Sequence, residues 1–523
     1  MKTIARVGVW MLFLTASSFG QSEKNVLVVG VPDSTIIDKN IYGHFSEHLG
    51  RCIYGGIWVG EQSPIPNTRG IRNDVVAALK HIQAPVVRWP GGCFADEYHW
   101  MDGIGPREKR PKMVNTHWGG VVEDNSFGTH EFMDFCEQIG AEAYFCGNVG
   151  SGTVKEMADW VQYLNSEGDT PMAELRKKNG REKPWNVKYW AVGNETWGCG
   201  GLMSAEHYAN EMARYSYSLK NYGEARLYKV ASGGLPWDYQ WTETIMKKWS
   251  ASDGWLQGFL SGYSLHYYAV PDWNRKGEST KFTEADWFTT ISKNLEIEEI
   301  VRKHAAIMDK YDPDKRIGMI VDEWGNWFDV EQGTNPAFLY QQNTMRDAVT
   351  AALNLNIFNN HADRVRMANI AQLVNVLQAL ILTDGPNMIL TPTYHVFDLF
   401  KVHQNARLLP TKVQSRGYTL GGKTIQAVNC SASMDDAGKV HISFVNTHYK
   451  ETQTVSCSFE QFTPQKVSGS ILGSARVNDH NTFEQPDAVI PRDFPGTRIS
   501  GGAIHVTLPP ASVVVLELEG SKN

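Results

Sequence analysis

The chain has 523 residues, 42% hydrophobic and 20% charged, enough apolar material for a large barrel with a smaller partner and too much for wholesale disorder. Fifty basic side chains against 57 acidic ones leave a net charge of −7, which excludes a nucleic-acid binder, because neutralising phosphates needs clustered Lys and Arg. The 17 Trp, 20 Tyr and 21 Phe supply flat apolar faces of the kind on which sugar C–H groups stack.

In chain order, Lys2 and Arg6 precede an apolar run from Val7 to Leu14, and Ser18-Phe19-Gly20 places small residues ahead of Gln21. This predicts a leader over residues 1–20, export to a periplasm or beyond the cell, and no membrane partner once the leader is cleaved, since no later run reaches about 18 apolar residues. Residues 21–40, with the short strand Asn25 to Val29, are expected to join a C-terminal domain. From 41 to 390, apolar runs alternate with helical patterns. Val75, Val76, Leu79 and Ile82 share a helix face before the run Ala84 to Trp89. Phe132, Phe135, Cys136 and Ile139 repeat with helical spacing and stop at Gly140, ahead of a buried strand at Ala143 to Cys146. Thr153 and Glu156 have the spacing of a capping box. Lys188 to Val192, Tyr263 to His266, Ile317 to Val321 and Arg364 to Met367 follow as strands.

Such alternation predicts an α/β fold with a parallel sheet, and the count favours a closed (β/α)8 barrel; a doubly wound sheet would want a GxGxxG loop, which is missing. After 390 the period changes to two, in Lys439 to Val445, Thr452 to Phe459 and Ile504 to Leu518, which predicts a β-sandwich over 391–523.

Chemistry in a barrel collects where strands end. Tyr189 to Val192 runs into Gly193-Asn194-Glu195, Ile317 to Val321 into Asp322-Glu323, and Val86-Val87 into Arg88-Trp89-Pro90-Gly91-Gly92-Cys93. A carboxylate at the end of a buried strand is costly unless paired or solvated at a cleft. A structural ion pair would account for either Glu alone. Two of them three strands apart face one gap, as glycoside hydrolysis requires, with one acid protonating the leaving oxygen and the other attacking the anomeric carbon.

The wording around these residues narrows the class. Ile41 to Gly50, Arg88-Trp89-Pro90-Gly91-Gly92, Asp102 to Pro106, Gly193-Asn194-Glu195, His266-Tyr267-Tyr268 and Ala371 to Asn375 resemble the α-L-arabinofuranosidases of glycoside hydrolase family 51, a likeness that runs from about residue 25 to the end. The resemblance implies an exo-acting, retaining arabinofuranosidase without a cofactor, acting on arabinan- or arabinoxylan-type chains and assembling as a homo-oligomer, often a hexamer. It makes Glu195 the acid/base, starting protonated, and Glu323 the nucleophile, held ionised by Arg88. Asn194 and Glu47 would bind sugar hydroxyls, Tyr268 with His266 would position the nucleophile, and Trp118 and Gln372 would close the pocket. Cys93 stands where many members carry an Asn that contacts the sugar. The alternatives are an endo-acting β-glucanase or xylanase on the same barrel and a non-catalytic carbohydrate-binding protein.

Seven cysteines are too sparse for a disulfide framework, and none has zinc-site spacing with His, so no metal is expected. Cys136 and Cys146 read as core thiols. Cys93 and Cys199 both follow strand ends that carry site residues, and either a disulfide between them or two free thiols fits.

Overall fold

A computed structural model describes residues 24–250 and 258–522; the leader expected over 1–20 lies outside them. Eight parallel strands close into a barrel: β1 (Gly43–Phe45), β2 (Val86–Trp89), β3 (Glu142–Gly147), β4 (Tyr189–Val192), β5 (Tyr228–Ala231), β6 (Gly262–Ala269), β7 (Gly318–Asn326) and β8 (Val365–Ala371). β8 pairs with β1, Ala371 opposite Phe45, and completes the ring. The strands are buried on both faces, so their side chains alternate between two apolar environments. Val86 points inward to a small cluster with Tyr144, Cys146, Tyr189, Ile320 and Met367 that fills the barrel. Val87 and Trp89 point outward to the helices, where Trp89 stacks on Phe132 at 4.9 Å between centroids.

Helix boundaries follow local chemistry. Gly140 ends Thr129–Ile139 with φ of 79°, the left-handed conformation that a residue without Cβ adopts freely. Thr153 caps Val154–Asn165 through the Glu156 N–H. The reciprocal half of the expected capping box is replaced, because the Glu156 carboxylate pairs with His99 Nδ1 at 2.9 Å.

The C-terminal domain is a sandwich of two mostly antiparallel sheets. One has five strands, in which Asn25–Val29 lies between Thr411–Gln414 and Gln453–Phe459; the other has six and centres on Val440–Asn446 and Ser512–Lys522. Two sequence readings change here. Ile504 to Leu518 is not one strand: Ala503–Leu508 and Ser512–Lys522 belong to opposite sheets, with Pro509 and Pro510 at the corner, where a ring without an N–H cannot extend a ladder. The all-β pattern also begins later than 390, because Pro392–Phe400 is a helix that follows β8. It is buried on nearly every side, so it lacks the polar stripe that reveals a surface helix.

Candidate active site

The ends of the barrel strands surround a cavity of about 660 Å³ lined by Glu47, Cys93, Trp118, Asn194, Glu195, His266, Tyr268, Glu323 and Gln372. Nine of the ten residues singled out in the sequence thus meet in one place, and the tenth, Arg88, lies buried beneath it.

Glu323 reaches the cavity through an irregular strand. The registers of β7 with both β6 and β8 shift around Asp322 and Glu323, so these neighbours escape strict alternation and both serve the interior. Arg88 comes from the inward face of β2. Its Nη1 donates to Glu323 Oε1 and its Nη2 to Asn194 Oδ1, both at 2.7 Å, while Nε lies 3.5 Å from Asp322 and the guanidinium rests 4.6 Å from the Phe45 ring. Tyr268 Oη donates to Glu323 Oε2 at 2.8 Å. The second carboxylate is presented by a tight turn after β4, where Glu195 adopts φ of 38°, a conformation L residues rarely accept.

His266 links the two acids. Its Nδ1 lies 3.0 Å from Glu195 Oε1 and 3.6 Å from Glu323 Oε2, and its Nε2 lies 3.3 Å from Asp322. Burial alone would favour neutral imidazole, but the Glu323 charge and the bonds to Asp322 and Glu195 outweigh it and push the ring up to about 10. A carboxylate oxygen of Glu195, one of Glu323 and a His266 nitrogen all lie within 4.8 Å of one another. A cation could span that distance, yet an imidazolium has no lone pair to give a metal and already balances the charge. His266 therefore touches the expected acid/base more closely than the nucleophile it was expected to position.

Asp322, buried at 1% exposure, was not singled out as a site residue in the sequence. It accepts from Ser264 at 2.6 Å and Tyr144 at 2.8 Å. Burial raises its carboxyl, but Arg88 and His266 prevail and hold it at about 2. Asp96 was missed as well. It accepts from the N–H groups of Val149 and Gly150, and burial, aided by the Glu195 charge, pushes it up to about 7. Both are acids beside more conspicuous neighbours, and only the fold shows which way they face.

On the other side of the mouth Glu47 forms a wall. It accepts from Gly92 N–H at 2.9 Å, Phe94 N–H at 3.2 Å and Gln372 Nε2 at 3.0 Å. Burial, then the charge of Glu323, push it up to about 7. The Gly91-Gly92 pair permits this approach: a Cβ on Gly91 would lie 2.6 Å from Glu47 Cγ, and one on Gly92 2.8 Å from Glu323 Oε1. Trp118 packs beside Tyr268 against the cluster of Phe45, Leu49 and Leu339. Cys93 and Cys199 form a disulfide across the rim, their Cα atoms 5.5 Å apart, and Cys199 Sγ lies 3.9 Å from Glu195 Oε2. The other five thiols are buried and free.

A parallel (β/α)8 barrel that brings two carboxylates together from the ends of its fourth and seventh strands, with Arg88 bonded to Glu323 and His266 between the pair, defines a glycoside hydrolase. Comparison with known proteins narrows the class. Residues 78–284 match the family model described as alpha-L-arabinofuranosidase 1 domain, and 322–512 match the alpha-L-arabinofuranosidase C-terminal domain. A Bacteroides ovatus protein named intracellular exo-alpha-L-arabinofuranosidase is 50% identical, over 98% of this chain and 100% of its own length. The GH51 arabinofuranosidase of Xanthomonas axonopodis pv. citri superposes with a TM-score of 0.92 at 49% identity, covering 95% of this chain and 100% of its own. An alpha-L-arabinofuranosidase from Thermotoga maritima, solved with arabinose, gives 0.82 at 31% identity over 96% of this chain and 100% of its own. The chain belongs to the α-L-arabinofuranosidases of glycoside hydrolase family 51. The same comparison corrects the expectation of export, because the B. ovatus relative is named as an intracellular enzyme.

Proposed function

We propose that this chain removes terminal α-L-arabinofuranosyl groups from arabinan- or arabinoxylan-type chains by double displacement, Glu195 serving as acid/base and Glu323 as nucleophile. The observation that carries the reading is the approach of the two carboxylates to within 4.8 Å, the close spacing of retaining rather than inverting glycosidases, in which no water need fit between acid and sugar. In the first step a Glu323 oxygen bonds the anomeric carbon as its bond to the leaving oxygen breaks, and that oxygen takes the Glu195 proton. In the second, Glu195 accepts a proton from water, whose oxygen displaces Glu323.

Arg88 and Tyr268 hold the nucleophile from two sides, one bond to each oxygen. Asn194, oriented by Arg88, and Glu47, oriented by two backbone N–H groups and Gln372, face the sugar hydroxyls, where hydrogen bonds can strengthen as charge develops at the ring. The wall of Glu47, Gln372 and Trp118 ends the cleft beyond the sugar and supports exo action over an endo-glucanase or xylanase. The reading extends to a catalytic barrel that runs from 41 through the helix Pro392–Phe400, a sandwich built from the strands that follow together with Asn25–Val29, and a homo-oligomeric assembly of the kind the family resemblance implies.

The test separates the two acids. Glu323→Ala loses nearly all turnover on every substrate. Glu195→Ala loses about 10²–10⁴-fold on arabino-oligosaccharides but far less on an aryl arabinofuranoside, whose leaving group needs little proton assistance. Equal losses on the activated substrate would refute the assignment, and a ladder of oligomers from linear arabinan, instead of free arabinose, would refute exo action.

A further inference from the structure

The cavity is larger than one sugar requires. About 660 Å³ is in the range that encloses a ligand of several rings, and one pentofuranosyl unit between Glu47 and Glu323 leaves much of it empty. Much of the surplus faces the wall. Glu47, Cys93, Trp118 and Gln372 follow β1, β2 and β8, which adjoin in the ring, whereas Gly234 to Trp237 follow β5 and His266 to Asn274 end and follow β6 on the opposite arc. Glu195, at the end of β4 next to β5, stands at the boundary between these halves. A leaving group protonated by Glu195 departs into the β5–β6 half.

That half carries a feature the catalytic chemistry does not use. Among the described residues only two tryptophans are exposed, Trp237 at 55% and Trp273 at 60%, and both line this cavity. Each is braced from behind. Trp237 meets Tyr267 edge-on at 6.1 Å, and Tyr267 Oη is anchored to the Lys293 carbonyl at 2.5 Å. Trp273 meets Trp327 edge-on at 5.6 Å, and Trp327 meets Tyr268 at 5.3 Å, so a row of rings runs from the side chain that binds the nucleophile out to solvent. On the helix Glu284–Tyr311 that follows β6, the partly exposed pair Lys293–Glu296, 3.0 Å apart, also lines the cavity and offers a donor and an acceptor. Exposed, braced indoles beside fixed polar groups are suited to sugar rings, whose C–H faces stack while their hydroxyls find hydrogen bonds.

We infer that Trp237 and Trp273 form a distal aglycone subsite, which binds pentose rings of the leaving chain beyond the sugar attached to the scissile bond. The inference rests on the reading of Glu195 as the acid/base, which fixes the side from which the leaving group departs. The subsite gives the enzyme a preference for oligomeric over dimeric substrates without altering the bond-breaking step.

The experiment compares Trp237→Ala, Trp273→Ala and the double variant with the unchanged enzyme on an aryl arabinofuranoside, on α-1,5-linked arabinobiose and on arabinotetraose, with light scattering to record the assembly state. The double variant is expected to lose about tenfold in kcat/KM on arabinotetraose, mainly through KM, and to stay within about twofold on the two short substrates. Undiminished cleavage of arabinotetraose, or an equal loss on all three substrates, overturns the subsite. A changed assembly state with unchanged arabinotetraose kinetics also overturns it and assigns the indoles to a contact between copies. Failure of the functional reading looks different, since the unchanged enzyme would then not cleave the aryl arabinofuranoside.

Discussion

Arg88→Met tests whether the site is held together by charge. Arg88 is 1% exposed and is bonded to Glu323 and Asn194, with Asp322 at 3.5 Å, so its removal leaves two buried carboxylates to share the single cation His266. Methionine keeps much of the stem volume, which keeps the cavity contribution small. The loss of one partner of a buried ion pair then dominates, at about 3–5 kcal/mol, or a fall in Tm of roughly 3–7 °C for a unit of this size. The deficit has a sign in pH. Asp322, held at about 2 in the native site, contributes stability that is present above its unfolded value near 3.8 and lost as pH falls through 2. Without Arg88 that carboxyl rises, its charge becomes a liability at neutral pH, and protonation relieves it, so the difference in Tm should narrow as the pH is lowered. Loss of the charged bond to the nucleophile should cost a further ~10–100-fold in kcat/KM on an aryl arabinofuranoside. Thermal melts between pH 4 and 8 and steady-state kinetics measure both. A variant within about 1 kcal/mol of the parent, with unchanged kcat/KM, would refute the view that this guanidinium organises the site.

Two further predictions follow from neighbouring groups. His266→Gln should be destabilising below the ordinary histidine value of about 6.5, where the native imidazolium contributes in full, and the difference should fade as pH rises toward 10 and the native ring loses its proton; melts over that window that run parallel would exclude a charged His266. Thiol titration of the denatured, unreduced protein should find five free groups, and seven after reduction. Reduction should cost up to about 4–5 kcal/mol, because the bridge spans 106 residues, and should weaken catalysis by loosening the rim against Glu195; seven thiols without reductant would rule the bridge out.

What the sequence conveyed and what it concealed divide along a physical line. Val86 and Arg88 share one face of a strand and Val87 and Trp89 the other, and an arginine in so apolar a run has to meet an acid; which acid it meets came from the family resemblance, not from the local pattern. Glu195 and Glu323 were legible because each ends a buried strand. β5 was harder to see, because Lys229 interrupts it; in the fold its ammonium caps the carbonyls of Ser216 and Leu219, both at 2.7 Å, and burial pulls it down to about 8. Asp322 was hidden by the rule that makes strands readable, since strict alternation turns the neighbour of an inward Glu323 outward, and only the register shift brings both inside. The distal indoles were hidden for another reason. Trp237 and Trp273 lie in loops without periodicity, and an isolated Trp in a loop reads the same whether it faces solvent, a partner or a sugar. What gives them meaning is closure of the ring, which sets the loops after β5 and β6 opposite the wall of Glu47 and Gln372 and leaves room between them for a chain of sugars rather than one.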